Sequence, residues 1–370
     1  MNILVTGSKG FIGRNLVSRL ISSKKFNVIE YGRSNTTKSL IKKLRIADYV
    51  VHLAGENKSR NADNFIKNNT NLTKTICQEM VKLERSIPMI FSSSTQVGLN
   101  NIYGKSKLNA EKEIENYFGI NNNPVTIFRL PGVFGKWCKP NYNSVVATFC
   151  YRIANDKKIN IINPSRRLPL IYIDDVVNQF INKIINPPSG IEFQNLSEVF
   201  EVSISEIAKK ITNFHNNFYK IKADFFENKF DKNLYSTFIS YIPKKLFKRS
   251  LSFHSDDRGV FAELLRSDKY GQISFFSAKP GITRGNHVHD SKTEKFYVIK
   301  GKALFTFKNL YDGEINQIES SSDDLSFVQS IPGWAHNIKN IGSDELLVIL
   351  WANEPFDNLK PDTIPYMDMK

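Results

Sequence analysis

The sequence predicts an α/β domain with a doubly wound parallel sheet, followed by a smaller all-β domain of the jelly-roll type. The chain has 370 residues, which is more than one ordinary core contains. Its first half alternates short apolar runs with longer segments of helical period, which is the pattern of βαβ units. After His254, short strands follow one another between turns, which indicates an antiparallel barrel. We place the two domains at residues 1–245 and 253–370.

The elements of the first domain follow from their periods, because a short buried run indicates a strand and a 3.6-residue period indicates a helix. The predicted strands are Ile3–Thr6, Phe26–Tyr31, Tyr49–Leu53, Met89–Ser93 and Val125–Arg129. The predicted helices are Phe11–Ser22, Asn69–Leu83 and Ser106–Phe118. A polar stretch rich in Lys and Asn, from about Phe214 to Arg249, shows no strong period and is expected to contain the domain junction.

Composition restricts the class of protein. The net charge of +15 is spread over scattered lysines without a nucleic-acid-binding motif, so it favours an acidic small-molecule substrate over nucleic acid. Three cysteines without a pairing pattern (Cys77, Cys138 and Cys150) fit a reducing compartment. The chain opens on a strand pattern, and no segment approaches the length of about 20 apolar residues that a membrane helix needs. We therefore expect a cytoplasmic protein without a membrane span.

A glycine-rich loop follows the first predicted strand and precedes a helix. In Gly7-Ser8-Lys9-Gly10-Phe11-Ile12-Gly13, the first glycine permits a tight turn, the second lets the backbone approach a pyrophosphate, and the third allows close helix packing. The helix N-terminus, at Phe11 and Ile12, offers N–H groups and a positive dipole end to the phosphates. The strand–loop–helix context predicts a dinucleotide cofactor.

The end of the second strand indicates which dinucleotide binds. An acidic residue there would accept the ribose hydroxyls of NAD, whereas this chain has Glu30-Tyr31-Gly32-Arg33. A guanidinium pairs with a 2′-phosphate, so Arg33 favours NADPH. The alternative is that Glu30 binds the ribose of NADH and Arg33 is a solvated charge.

Several motifs in order resemble the nucleotide-sugar branch of the extended short-chain dehydrogenase/reductase family, over about residues 1–245. They are Val51-His52-Leu53-Ala54-Gly55, Asn68-Asn69-Thr70-Asn71-Leu72-Thr73, Phe91-Ser92-Ser93-Ser94, Tyr103-Gly104-Lys105-Ser106-Lys107 and Tyr172-Ile173-Asp174-Asp175-Val176. The resemblance implies a Rossmann-type sheet, with Leu53, Ala54, Gly55 and Asn69 beside the cofactor.

The Tyr-x-x-x-Lys motif carries the chemistry of this domain. Tyr103 and Lys107 are four residues apart, so on a helix they face the same way. An ammonium at Lys107 would lower the Tyr103 pKa and hold the cofactor ribose, so that the phenol passes a proton to a carbonyl oxygen. Ser94 would bind that oxygen, with Ser93 or Thr95 as alternatives.

The family's dehydratases place an acidic pair after the catalytic hydroxyl, where this chain has Thr95 and Gln96. Ketone reduction or 4-epimerisation is therefore preferred over dehydration. Arg129, Asn143, Arg166 and Arg167 occupy positions expected in substrate-side loops, where arginine suits a diphosphate. Each of these arginines could instead be a surface charge.

A metal-ligand pattern lies in the second half. Alternation places His287 and His289 on one face of a strand, and Glu294 and His336 can converge from neighbouring strands. The pattern resembles the cupin superfamily over about residues 253–370. It predicts a divalent metal bound by His287, His289, Glu294 and His336, and the alternative is a metal-free cupin that uses these groups as acid and base.

A second pattern in this domain resembles the deoxysugar 3,5-epimerases. Asp257-Arg258-Gly259-Val260-Phe261-Ala262-Glu263 and Arg284-Gly285-Asn286-His287 match its two parts. The resemblance implies that His287 is the proton-abstracting base and that Arg258 and Arg284 contact the substrate. A metal-bound histidine is not a free base, so His287 is either ligand or base. In the first case Tyr297 or Glu263 could move the proton.

The two halves together resemble the bifunctional capsular-polysaccharide enzymes of the CapF type, in the pathway to UDP-N-acetyl-L-fucosamine. The stretch from Phe134 to Ser144 and Gly285-Asn286-His287 carry this resemblance. It implies C3 epimerisation of UDP-2-acetamido-2,6-dideoxy-4-hexulose in the cupin domain, followed by NADPH-dependent reduction at C4 to the L-talose sugar. It also implies zinc and a homodimer.

Three other functions remain open at this point. The chain could be a reductase or 4-epimerase alone, with the cupin as a binding or dimerisation module. The cupin could hold iron for oxygen chemistry, or the first domain could be a non-catalytic NADPH sensor.

Overall fold

The computed structural model describes residues 1–369, except for the side chain of Asn121. The chain forms two compact units, which do not follow one sequence boundary. The first unit contains Met1–Asn213 and Phe226–Lys244, and the second contains Phe214–Phe225 and the chain from Lys245 onward. The segment Phe214–Phe225, which the predicted boundary assigns to the first domain, is thus grouped with the second unit.

The first unit is built on a six-stranded parallel sheet, which confirms the predicted Rossmann-type class. Its strand order is β2-β1-β3-β4-β5-β8, and β6, β7 and β9 form a small second sheet. The strands are β1 Asn2–Thr6, β2 Asn27–Tyr31, β3 Tyr49–His52, β4 Met89–Ser94, β5 Val125–Leu130, β6 Gly132–Phe134, β7 Arg167–Tyr172, β8 Ile191–Phe193 and β9 Phe200–Ser203. The five predicted strands are therefore present, with ends that differ by one residue.

Helices cover both faces of the parallel sheet. They are α1 Phe11–Ser23, α2 Thr37–Ile46, α3 Asp63–Phe65, α4 Leu72–Val81, α5 Ile102–Asn121, α6 Val145–Ala154, α7 Ile173–Ile185, α8 Ile204–Tyr219 and α9 Lys229–Ile239. A π-helical stretch, Ile66–Asn71, joins α3 to α4. Alternation along β1 separates two cores, because Leu4 packs in one buried cluster and Ile3 and Val5 pack in the other.

The second unit consists of two antiparallel sheets around an apolar core, which confirms the predicted cupin-like class. One sheet has the order β10-β11-β12-β19-β14-β17 and the other β16-β15-β18-β13-β20. The strands are β10 Phe253–Asp256, β11 Gly259–Ser267, β12 Gly271–Ala278, β13 Thr283–Val288, β14 Glu294–Lys300, β15 Lys302–Asn309, β16 Ile315–Ser321, β17 Val328–Gln329, β18 Trp334–Asn340, β19 Leu346–Ala352 and β20 Ile364–Pro365.

The stretch from about Phe214 to Arg249, which shows no strong period in the sequence, contains a helix in the structure. Helix α9 lies within it, starts at an Asn228 side-chain cap and buries Phe230, Leu234 and Phe238. These residues follow a four-residue repeat, which the intervening Lys, Asn and Ser residues obscure in the sequence. None of the described helices is both long and apolar enough to span a bilayer.

Candidate active site and metal centre

The glycine loop lies at the point where the strand order of the first sheet reverses. Since β1 lies between β2 and β3, the loops after β1 and β3 leave the sheet side by side, which is where open α/β sheets bind ligands. Gly7 has a φ of +68°, and a Cβ there would lie 2.7 Å from the Ala54 nitrogen. A Cβ on Gly13 would lie 2.2 Å from the Gly7 oxygen. Both positions therefore require glycine.

This loop leaves hydrogen-bonding groups available for a cofactor. Gly10 precedes α1 and supplies no side-chain cap, so the first N–H groups of the helix have no side-chain acceptor there. The Ser8 hydroxyl is buried without a hydrogen-bond partner. An uncapped helix start next to an unpaired hydroxyl fits the pyrophosphate of a dinucleotide.

Two charged residues named from the sequence lie at the end of β2, and each is paired with another side chain. Arg33 is exposed, and its Nη2 lies 2.7 Å from Glu56 Oε2. Glu30 pairs instead with Lys9 of the glycine loop at 3.4 Å. The carboxylate that would bind an NAD ribose is thus engaged by a lysine, while the guanidinium is solvent-accessible.

His52 ends β3 and forms a fully buried hydrogen-bonded chain. Its Nδ1 lies 2.7 Å from Thr6 Oγ1 and its Nε2 lies 2.9 Å from Thr73 Oγ1. Thr73 donates in turn to the Asn69 carbonyl, so Nε2 carries the proton in this chain. Burial, and then the nearby Lys107, lower the His52 pKa to about 3, so it is neutral. His52 therefore links β1, β3 and α4 and has a structural role.

Both polar atoms of the Asn69 side chain form hydrogen bonds within the protein. Its Oδ1 accepts from the Glu56 N–H at 2.7 Å, and its Nδ2 donates to the Glu56 carbonyl and to Ser106 Oγ. A Cβ on Gly55 would lie 2.8 Å from the same Oδ1. Asn69 therefore fixes the turn Leu53-Ala54-Gly55, and any effect on a cofactor passes through that turn.

The predicted catalytic group assembles where β4 meets α5. The Tyr103 phenol shares a hydrogen bond with Ser94, whose Oγ also accepts from the Gln96 N–H at 3.2 Å. Of the two alternatives to Ser94, Ser93 has a buried hydroxyl without a partner, and Thr95 is exposed. Ser94 is thus the hydroxyl that the structure joins to Tyr103.

Lys107 lies on the same helix but is directed to the strand. It is buried, donates from Nζ to the Ser92 carbonyl at 2.8 Å and lies over the Phe91 ring. Burial lowers its pKa to about 8, against the opposing effect of Glu111. The expected lowering of the Tyr103 pKa by Lys107 is not found, because burial raises that pKa more than the Ser94 hydrogen bond lowers it.

Position 104 requires glycine, which the sequence analysis did not predict. A Cβ at this position would lie 2.1 Å from the Gln96 carbonyl oxygen. The close approach brings the first turn of α5, which carries Tyr103, against the short turn Thr95–Gly98 after β4. A glycine inside the first turn of a helix was the available signal.

Of the predicted substrate-side residues of the first unit, Arg129 has a partner within the fold, and the other three are exposed. Arg129 forms a two-pronged ion pair with the buried Glu111, at 2.6 and 3.1 Å, and lies over the Phe193 ring. Its guanidinium is therefore engaged within the fold, which gives a substrate contact no support. Asn143, Arg166 and Arg167 are exposed in the loops before α6 and at the start of β7.

The four predicted metal ligands come together in the second unit. His287 and His336 are register partners on β13 and β18, His289 follows β13, and Glu294 begins β14. Their ligand atoms lie within 4.8 Å of one another. The Nε2 atoms of His289, His336 and His287 lie 3.2, 3.3 and 3.8 Å from Glu294 Oε2.

The surroundings of this cluster prepare it for a cation. His289 Nδ1 is hydrogen-bonded to the Asp362 carbonyl, so the proton is on Nδ1 and the Nε2 lone pair faces the cluster. Burial alone would raise the Glu294 pKa, but the three histidines hold it well below its usual range. Burial lowers the His336 pKa, which favours the neutral, ligating imidazole. Three nitrogens and one carboxylate fit zinc or a similar divalent metal.

A cavity of about 920 Å³ opens beside the cluster, within the second unit. Its wall includes His287, Glu294 and His336, together with Arg284, Glu263 and Lys292. This volume falls in the range of small-molecule pockets.

Two residues named from the sequence lie away from this wall. Arg258 is exposed in the turn between β10 and β11, where it pairs with Asp256 at 2.6 Å. Tyr297 is three residues beyond the inward-facing Glu294 on β14 and packs against Phe327 on the opposite face. Tyr297 was therefore wrong as an alternative proton carrier, and Glu263 is retained.

Comparison with known proteins agrees with both halves of this description. Residues 3–192 match the NAD dependent epimerase/dehydratase family, and residues 254–364 match the polysaccharide biosynthesis C-terminal domain. The chain is 40% identical to the UDP-2-acetamido-2,6-beta-L-arabino-hexul-4-ose reductase of Pseudomonas aeruginosa, over 98% of each chain.

Solved structures also include one that matches this chain over both units. The capsular polysaccharide assembling protein CapF from Staphylococcus aureus superposes with a TM-score of 0.92 at 38% identity, over 99% of this chain and 100% of that one. The UDP-glucuronic acid 4-epimerase of Bacillus cereus, solved in complex with NAD, covers 58% of this chain and 83% of its own, with a TM-score of 0.53 and 20% identity. The latter likeness concerns the fold alone.

Proposed function

Because the chain belongs to the NAD dependent epimerase/dehydratase family and, over its whole length, to the CapF-type enzymes of polysaccharide synthesis, we propose that it is a bifunctional nucleotide-sugar enzyme. The second unit epimerises C3 of UDP-2-acetamido-2,6-dideoxy-4-hexulose. The first unit then reduces the C4 ketone with NADPH to UDP-2-acetamido-2,6-dideoxy-L-talose. The enzyme works in the cytoplasm, as a homodimer, for capsule or O-antigen synthesis.

The observation that carries the bifunctional proposal is the convergence of His287, His289, Glu294 and His336. All of them except His289 line the cavity wall. A binding or dimerisation module has no need for four ligands converging beside a cavity of sugar-nucleotide size. This group occurs in the same chain as the Ser94–Tyr103 pair, so one polypeptide has groups for both reactions.

In the first unit, the chain's own residues supply binding and the proton. Arg33 holds the 2′-phosphate, and the N-terminus of α1 holds the pyrophosphate. When bound, the nicotinamide supplies hydride to C4. Ser94 donates a hydrogen bond to the ketone oxygen, Tyr103 transfers its phenolic proton to that oxygen, and Lys107 binds the cofactor ribose.

In the second unit, the C4 ketone acidifies the proton on C3, so epimerisation needs an acceptor that removes this proton and a donor that returns one to the opposite face. In this proposal the returned proton comes from solvent. His287 is a metal ligand in this proposal, because its Nε2 faces the same carboxylate oxygen as the other two histidines. Glu263 on β11 lines the cavity without being a ligand, and we assign it the transfer of the C3 proton. A bound zinc ion would polarise the ketone as a Lewis acid.

The order of the two reactions follows from their chemistry. Reduction at C4 removes the acidity of C3, so epimerisation must come first and reduction then fixes the configuration. Arg284 has its side chain against the cavity and is assigned to the substrate, whereas the exposed Arg258 is assigned a contact at the rim.

The experiment is an incubation of the protein with a UDP-4-keto-6-deoxy-N-acetylhexosamine in D₂O, followed by NMR, with NADPH added later. We expect deuterium at C3 before NADPH, then oxidation of NADPH and a new sugar. Tyr103→Phe should keep the exchange and lose the reduction, whereas Glu294→Gln should lose the exchange. Oxidation of NADPH without earlier exchange would leave a reductase whose second unit is a binding module.

A further inference from the structure

We propose that Asp362, from the last segment of the chain, is a positioning residue that builds the metal centre. It is not itself a ligand. Its side chain and its backbone act on two different parts of the ligand set, and the strand that follows it acts on a third. This inference rests on the metal site of the proposed function.

The Asp362 carboxylate binds the loop between two ligands. Oδ1 accepts from the Asp290 N–H at 2.8 Å, and Oδ2 accepts from the N–H groups of Ser291 at 2.9 Å and Lys292 at 2.7 Å. The Ser291 hydroxyl adds a contact at 3.1 Å. The loop that joins His289 to Glu294 is thus held by three consecutive backbone groups, which fixes the distance between these two ligands.

The Asp362 carbonyl acts on His289 directly. It is hydrogen-bonded to Nδ1, which leaves Nε2 unprotonated and aimed at the cluster. His289 is also buried, so bulk solvent does not reach its ring to replace this acceptor. One residue therefore selects the tautomer of a ligand and anchors the loop that follows it.

The chain beyond Asp362 supports the remaining side of the cluster. Strand β20 pairs with β13, where Pro365 lies opposite His287 and Ile364 opposite Val288. The Tyr366 N–H donates to the Asn286 carbonyl at 2.7 Å. The segment from Asp362 to Tyr366 therefore contacts the backbone around His287 and His289 and the approach to Glu294.

The test compares zinc affinity in the full-length protein. Asp362→Ala removes all the carboxylate contacts, and Asp362→Asn keeps the size but converts one oxygen into a donor. We expect both to raise the Zn²⁺ dissociation constant by about 10- to 100-fold, as for other groups that orient metal ligands. The constant is measured by competition with a chromophoric chelator, and Co²⁺ absorption spectra report whether tetrahedral coordination is lost.

The control is Asp368→Asn, which removes a carboxylate of the same segment that pairs with Lys308 at 3.0 Å, away from the ligands. It should leave zinc affinity unchanged. NADPH binding by fluorescence and the unfolding temperature of the metal-free protein show whether each variant is folded. Equal zinc affinity in the wild type and both folded Asp362 variants would overturn the inference. Absence of zinc binding by the wild type would instead overturn the metal site of the proposed function.

Discussion

Lys107 donates a hydrogen bond from Nζ to the Ser92 carbonyl oxygen at 2.8 Å, so its ammonium is directed to β4, although Tyr103 lies four residues before it on α5. The lysine is buried next to the turn Leu53-Ala54-Gly55, and a Cβ on Gly55 would lie 3.2 Å from its Nζ. Lys107 is therefore placed to bind a group lying over Gly55. The Tyr103 proton is held by burial, which outweighs the opposing effect of the Ser94 hydrogen bond.

This placement predicts how NADPH binding depends on pH. Burial lowers the pKa of Lys107 to about 8, so in the free enzyme its ammonium is present below pH 8 and lost above it. Since the ribose contact needs the ammonium, NADPH affinity should fall about tenfold between pH 7 and pH 9. A fluorescence titration measures this. Lys107→Met should bind weakly with little pH dependence, and an unchanged slope in that variant would assign the proton to another group.

Arg33 should determine the choice of cofactor. Its guanidinium is exposed at the end of β2 and is free to exchange Glu56 for a 2′-phosphate. Loss of a charged hydrogen bond of about 1.5–3 kcal/mol predicts that Arg33→Ala raises the dissociation constant for NADPH by about 10- to 100-fold, with little change for NADH. The matched control is Lys112→Ala, which removes an exposed positive charge of α5. Equal losses for both cofactors would contradict the assignment.

Glu263 should be required for proton exchange but not for metal binding. Its carboxylate lies at the cavity wall, 3.0 Å from Arg266, and is not among the four ligands. Glu263→Gln should reduce deuterium incorporation at C3 by about 10²- to 10⁴-fold, with zinc content and NADPH affinity unchanged. Asp268→Asn makes the same change at a carboxylate that pairs with Lys222 and should keep the exchange. Exchange that survives in Glu263→Gln at the wild-type rate would contradict the assignment of Glu263 as the proton carrier.

Sequence reasoning succeeded where the signal is local. The glycine loop and the His-x-His pair depend on residues close together in the chain, and the structure brings each of these two groups together. In the Tyr-x-x-x-Lys motif, Tyr103 is joined to Ser94, whereas Lys107 donates to Ser92. Failures involve partners that only the fold supplies. Arg129 is engaged by Glu111 on a neighbouring helix, and Asp362 reaches the metal loop from 70 residues away. The outward position of Tyr297 could have been predicted from the sequence, because residues three apart on a strand, such as Glu294 and Tyr297, face opposite sides.

Metal removal should affect the second unit and leave cofactor binding by the first unit unchanged. All four ligands belong to the second unit, so a bound metal should stabilise that unit. Chelation should lower its unfolding temperature, and zinc at about 100 times its dissociation constant should restore about 2.7 kcal/mol. Exchange at C3 should stop, while NADPH binding to the first unit remains. Loss of NADPH binding on chelation would contradict this separation.

Gly104 should be the most sensitive glycine of helix α5. A Cβ would lie 2.1 Å from the Gln96 carbonyl oxygen, and the obstacle is backbone, which cannot rotate away. Gly104→Ala should therefore cost about 1–3 kcal/mol of stability and displace Tyr103, reducing the reduction rate more than the affinity for NADPH. Gly119→Ala is the control on the same helix, because nothing lies within 4 Å of its Cβ position. That variant should gain about 0.5–1 kcal/mol, since alanine loses less backbone entropy in a helix. Thermal unfolding and single-turnover NADPH oxidation measure both effects, and equal behaviour of the two variants would show that the Gln96 contact relaxes without consequence.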